Sequence, residues 1–252
     1  MSGERLIRAD QATLAYDSGE PALTDLSVEL PAGELVILLG PNGGGKTTFF
    51  RALVGELQPA HGSIEVSSKV AYLPQHDGSR IDFPVSALDV VLMGTLSERR
   101  FWQRARRAEK QRALAALERV GLAGSADRTY GELSGGQRRR VLLARTIVGG
   151  AEVIALDEPL AGVDPSSAEV IRATLGGLRD EGRLVIEASH DIEHARIADR
   201  VICLNGRVVA DGIPGDVLTD ATLRETYAAD LAVISDAEGR PLLATTDACG
   251  HD

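Results

Sequence analysis

The sequence has little lysine. Lys46, Lys69 and Lys110 stand alone among 27 basic residues; the rest are arginines. In such a chain a retained lysine marks a place where a compact ammonium is wanted and a planar guanidinium does not serve. Cysteine is as scarce. Cys203 and Cys249 are the only two. They do not make a disulfide framework, and a reducing compartment is the expected setting. Basic charge falls short of acidic: 37 Asp and Glu leave a formal net charge of −10. That balance argues against a protein whose task is coating nucleic acid. Long apolar runs are missing too. The strongest near the start, Leu35-Val36-Ile37-Leu38-Leu39, is far short of the roughly 20 residues of a spanning helix. Met1 to Asp10 carry no apolar signal-peptide core, so the expectation is a soluble chain, or one peripheral to a membrane through a partner.

What is present reads as globular. Hydrophobic residues make up 44% and charged residues 25% of 252, which suits one α/β domain or one domain with an inserted lobe. The first 75 residues read mostly as strands. Ile7–Tyr16 and Leu26–Leu30 are short and partly alternating, and Glu34–Leu39 is a continuous apolar run of the kind a buried central strand has. A breaker cluster, Gly40 to Gly45, follows, and then Phe49, Phe50, Leu53 and Val54 at helical spacing. Ser63–Val66 and Lys69–Leu73 return to strand. From Val85 to Val148 the pattern turns helical. Arg104–Val120 places Leu114, Leu117 and Val120 on one stripe, and Ser134 can cap a helix over Gly135–Val148. Ala151–Leu156 and Leu184–Ala188 read as buried strands flanking a helix over Ser166–Asp180. Val201–Val209 reads as a hairpin with Asn205-Gly206 as a two-residue turn. The segment 237–252 is expected to be mobile.

Three motifs carry chemistry. Gly40-Pro41-Asn42-Gly43-Gly44-Gly45-Lys46-Thr47 has the spacing of a phosphate-binding loop between a strand and a helix, with Thr48 next in line. Glycines let backbone N–H groups wrap a phosphate, and the helix N-terminus adds partial positive charge. Lys46 is placed to reach the β- and γ-phosphates and Thr47 to offer a hydroxyl to Mg²⁺. Val153 to Glu158 is an apolar strand ending in two carboxylates. Asp157 suits a Mg²⁺ partner and Glu158 a general base for water. Leu133-Ser134-Gly135-Gly136-Gln137 opens a further helix, where the Ser134 hydroxyl and two glycine amides at the helix N-terminus suit an anion.

With that pentapeptide the chain resembles the ATP-binding cassette ATPases, from Tyr16 to about Arg224. The resemblance implies a P-loop NTPase core with an antiparallel β subdomain and an inserted α-helical subdomain. It implies one domain over residues 1–236, with the helical lobe at about 76–148. ATP and Mg²⁺ are the implied cofactors. A head-to-tail homodimer is implied as well, in which the Leu133–Gln137 loop of one copy closes on the nucleotide of the other. Tyr16 matches the aromatic that stacks on adenine. Gln75 matches the glutamine that senses Mg²⁺ and links core to lobe, and His190 the histidine at the γ-phosphate. Asp164 matches the aspartate of the loop crossing the dimer interface, although Ala161-Gly162-Val163-Asp164 departs from the family's commoner spelling.

The compact lobe and acidic charge favour a transporter ATPase over cassette proteins of DNA repair or translation. Gln75-His76, Ile81-Asp82-Phe83-Pro84-Val85 and Leu88 to Gly94 are similar to the ATPases of manganese, zinc or iron importers, with iron-chelate and cobalamin importers as close alternatives. The partners so implied are an integral membrane permease and an external metal-binding protein, with no nucleic acid. The implied location is the cytoplasmic face of the membrane. Arg138-Arg139-Arg140 reads as a helix face touching acidic residues or solvent. His61, His194, His251 and Cys249 are too scattered for a metal site, and Met93 and Trp102 read as packing residues.

Overall fold

A computed structural model describes residues 5–16, 19–75, 84–96 and 105–227, and the backbone of 231–235 and 241–245. Strands β1 (Arg5–Ala15) and β2 (Pro21–Pro31) pair antiparallel. Both run longer than their sequence patterns suggest. In β1 the buried set passes from Ile7 and Ala9 to Ala12 and Leu14, because a bulge at Gln11 (φ 45°) shifts the register. An extra residue of this kind reverses the alternation that a strand is read from.

Strand β3 (Leu35–Leu39) is buried at every position and leads through the glycine loop into α1 (Lys46–Leu53). Strand β4 (His61–Val66) completes a three-stranded sheet in the order β2-β1-β4, whereas β5 (Val70–Leu73) belongs to the central sheet. Among the described residues three α-helices follow: α2 (Ala87–Met93), α3 (Arg107–Arg119) and α4 (Gly135–Ile147). Ser86 with Asp89, and Ser134 with Gln137, form capping boxes that start α2 and α4. Helix α3 buries Ala113, Ala116 and Leu117, with Val120 just beyond. Leu114, expected on that stripe, is 39% exposed. It sits one residue, roughly 100° around the helix, from Ala113. Met93, expected to pack, is 42% exposed. Trp102, His76, Ile81 to Phe83, Cys249 and His251 lie outside the described residues.

The chain then returns to the sheet as β6 (Val153–Asp157), α5 (Pro165–Asp180), β7 (Leu184–Ala188), the short α6 (Ile192–Ala195), β8 (Arg200–Leu204) and β9 (Val208–Gly212). Leu204 pairs with Val208. The β8–β9 turn is therefore a three-residue loop with Gly206 at φ 67°, not the two-residue turn read from Asn205-Gly206. Helices α7 (Pro214–Val217) and α8 (Asp220–Tyr227) come next, and β10 (Leu231–Ser235) pairs with β11 (Pro241–Thr245). A paired strand thus stands inside the segment expected to be mobile.

The central sheet has the order β5-β6-β7-β3-β8-β9, parallel except for β9. Alternate residues of each strand feed two cores, as the pleat requires. Ile37, Leu39, Ile154 and Leu156 face the three-helix lobe and α5. Val36, Leu38, Val153 and Ala155 face Phe49 and Phe50 of α1 and the antiparallel sheet. Parallel register aligns the C-terminal ends: Leu38 and Asp157 both lie opposite Ala188. The glycine loop, the Asp157-Glu158 pair and the Ser189-His190 turn therefore emerge at one edge, where open α/β sheets bind ligands. No helix among the described residues is long and apolar enough to cross a membrane.

Candidate active site

A cavity of about 250 Å³ at that edge is lined by Pro41 to Thr48, Gln75, Asp157 and Glu158. The loop around it needs glycine at Gly45, where φ is 98° and a Cβ would lie 2.4 Å from Leu23 Cγ. Lys46 is buried, and its Nζ donates to the carbonyls of Gly40 (2.6 Å) and Pro41 (2.9 Å). Burial lowers the pKa of its ammonium, while the charges of Glu158 and Asp157 oppose that shift. Thr47 Oγ1 donates to Asp157 Oδ2 at 2.7 Å, and Gln75 Nε2 donates to Glu158 Oε2 at 2.8 Å. The hydroxyl of Tyr72 also reaches Asp157 Oδ2, at 3.3 Å. Burial, with that carboxylate beside it, raises the phenol's pKa. Glu158 holds φ at 47°, a left-handed conformation unusual for a non-glycine residue. Strained backbone of this kind gathers at functional sites.

Other expected residues lie around this centre. Tyr16 is 38% exposed; its hydroxyl is 3.1 Å from Thr48 Oγ1, and the Arg51 guanidinium carbon is 5.9 Å from its ring centroid. His190 is exposed and lines a neighbouring cleft with Glu158 and Leu160 to Val163. Leu133 to Gln137 do not line the glycine-loop cavity. Leu133 is buried, whereas Ser134 and Gly135 are exposed at the start of α4. The serine Oγ accepts from Gln137 N and Gln137 Oε1 accepts from Ser134 N. Asp164 caps α5: Oδ1 accepts from Ser167 N (2.9 Å) and Ser166 Oγ (2.6 Å). Those bonds hold its pKa down at about 2.

Residues 23–161 match the family described as ABC transporter. The chain belongs to that family. It is an ATP-binding, ATP-hydrolysing subunit of an ABC transporter. It is 37% identical over 230 residues to the zinc transport system ATP-binding protein TroB of Treponema pallidum, covering 88% of this chain and 86% of that one. It is 36% identical to the manganese transport system ATP-binding protein MntB of Bacillus subtilis, covering 91% and 95%. A solved ATP-binding cassette, dimeric in a post-hydrolysis state with ADP and Pi, superposes with a TM-score of 0.71 at 25% identity, covering 82% and 98%.

In this ABC ATPase the turn at Ser134 is packed against the loop at Asp164. A Cβ on Gly136 would lie 2.3 Å from Asp164 Oδ2 and 2.5 Å from Ser167 Oγ. Gly136→Ala should therefore overpack the contact and disturb the cap of α5. A loss of about 1–3 kcal/mol is expected, read as a lower urea midpoint. Gly135→Ala is the control, since nothing lies within 4 Å of a Cβ there. Equal midpoints for the two variants would refute the packing argument.

Several residues of the ABC ATPase site carry no motif. Tyr227, buried at the end of α8, accepts a hydrogen bond from Gly40 N at 3.2 Å, bracing the glycine loop from 187 residues away. His194 Nε2 lies 3.0 Å from Glu187 Oε2, both buried, so α6 is tied to β7 on either side of the His190 turn. The arginine run does not behave as a surface face. Arg138 donates to Leu133 O, Arg140 to Val120 O, and Arg139 to the main-chain carbonyls of Asp157 and Glu158. A run of identical cations hides which one points inward.

Proposed function

We propose that this ATPase powers uptake of Mn²⁺ or Zn²⁺ through a separate membrane permease, with an external metal-binding protein delivering the ion. One observation supports the nucleotide half of this reading above the rest. The Thr47–Asp157 and Gln75–Glu158 pairs share one cavity with the glycine loop, while the Ser134 turn lies outside it. Lys46 and main-chain N–H groups of the Gly40 to Thr48 loop take the phosphates of ATP, apart from Pro41, which has none, and Gly40, whose N–H donates to Tyr227; Tyr16 stacks on adenine. Thr47 and Asp157 present hard oxygen donors, with Gln75 beside them, and these residues would hold Mg²⁺. Mg²⁺ would offset the negative charge of the phosphates. Glu158 takes the proton of the attacking water, and His190 contacts the γ-phosphate. Within the Leu133 to Gln137 turn, Ser134 and Gly135 are exposed at the start of α4, as suits closure on the nucleotide of a second copy with Asp164 at the shared interface. The domain is single, residues 1–236, with the lobe at about 76–148 contacting the permease. Exposed Met93, Leu96 and Leu114 on that lobe support the contact. The protein would sit on the cytoplasmic face of the membrane without nucleic acid.

The metal assignment rests on likeness to zinc and manganese transport proteins over most of the chain. Deleting the gene should lower cellular Mn or Zn in metal-poor medium, measured by elemental analysis, and added metal should restore growth. Unchanged Mn and Zn with loss of uptake of an iron chelate or cobalamin would reject the metal and keep the transporter ATPase.

A further inference from the structure

Arg139 lies five residues past Ser134 on α4 and is half-buried. Among the described residues its side chain donates to five main-chain carbonyls. Nε donates to Pro159 O at 3.1 Å. Nη1 donates to Pro74 O at 3.1 Å and Gln75 O at 3.3 Å, and Nη2 to Asp157 O and Glu158 O at 2.9 Å each. A guanidinium has five N–H groups in a fixed plane, enough to serve all five of these carbonyls. The five carbonyls belong to two segments, 74–75 just beyond β5 and 157–159 at the end of β6. Those segments carry the Gln75 and Glu158 side chains that meet at 2.8 Å, and one of them contains the left-handed turn at Glu158.

We infer that Arg139 is a positioning residue for ATP hydrolysis, fixing the main chain that aims Glu158 and Gln75. The inference rests on the reading of Glu158 as the base. Five rigid donors hold two loop segments in one geometry, and a small misplacement of a reacting group costs rate steeply. None of these five acceptors belongs to the glycine loop, so the phosphate contacts of that loop do not run through them. Because α4 also carries the Ser134 turn, a shift of that helix would reach Glu158 through this side chain.

The test compares Arg139→Gln, Arg139→Lys, Arg139→Ala and Glu158→Gln by steady-state ATPase kinetics and by titration with a fluorescent ATP analogue. Expected is a fall in kcat of about tenfold or more in all three Arg139 variants. KM and analogue affinity should stay within about twofold. Lysine should rescue no better than glutamine, since it keeps the charge and loses the planar fork. Circular dichroism identifies any variant that fails to fold, and the folded ones decide. Normal kcat in a folded Arg139 variant beside lost turnover in Glu158→Gln overturns the inference. So does a rise in KM that matches the fall in kcat, or full rescue by lysine. Normal turnover in Glu158→Gln overturns instead the base assignment beneath it.

Discussion

Glu158→Gln should lower ATP turnover by about 10²-fold or more, the size expected when a general base is lost, and leave ATP binding intact. The substitution is nearly isosteric. A glutamine oxygen at position 158 can still accept from Gln75 Nε2, which now donates at 2.8 Å, and the five carbonyl bonds of Arg139 are to main chain and survive. What disappears is the carboxylate's capacity to take a proton. Stalled hydrolysis should let the ATP-bound state accumulate. On the proposed shared site two copies should then associate, the exposed turn at Ser134 of each closing on the nucleotide of the other. Light scattering with ATP should report a dimer, and without nucleotide mainly a monomer. Hydrolysis at the wild-type rate would remove Glu158 as the base. A monomer under every nucleotide condition would remove the shared site.

Lys46→Ala should abolish tight nucleotide binding. The Lys46 ammonium is buried and is held by the carbonyls of Gly40 and Pro41, so it meets a phosphate with most of its desolvation already met. Deleting one member of such a charged contact costs about 2–5 kcal/mol, roughly 30- to several thousandfold in Kd. Lys46→Arg should not restore binding, although arginine outnumbers lysine elsewhere in the chain. A planar fork does not fit two carbonyls that converge on one nitrogen at 2.6 and 2.9 Å. There is a pH consequence. Burial lowers the pKa of Lys46 in the free chain, and a bound phosphate raises it again. Affinity is therefore full below the free chain's pKa and falls as pH rises through it, with proton uptake on binding in that range. Titration of a fluorescent nucleotide across alkaline pH checks both points. Affinity within threefold of wild type in Lys46→Ala would refute the assignment.

Much of this was legible in the residues themselves. Gly40 to Thr47 has a spacing that only a phosphate-wrapping turn needs, and it stands between a buried strand and a helix in the sequence as in the fold. Asp157 and Glu158 were readable because an apolar run ending in two acids is a strand delivering charge to its tip. Leu35–Leu39 and Leu184–Ala188 were readable as central strands because both faces of a parallel sheet are covered. The lobe was legible as helical, though not in its facing. Leu114 turns outward because α3 packs through the small Ala113 and Ala116, and neighbour size is a property of the partner helices, not of the stripe.

Tertiary structure alone decided which polar groups meet. Thr47 and Asp157 are 110 residues apart, Gln75 and Glu158 are 83 apart, and Gly40 and Tyr227 are 187 apart. No local pattern records such pairs, because side-chain hydrogen bonds depend on strand order and register, and the order β5-β6-β7-β3-β8-β9 is set by how the helices cover the sheet. Arg139 makes the same point most sharply. Three consecutive arginines on one turn are equivalent as letters, and a helix sends them about 100° apart. One ends at Leu133, one at Val120, and one at the carbonyls behind Glu158, because the packing of α4 against the ends of β5 and β6 offers those acceptors on one side only.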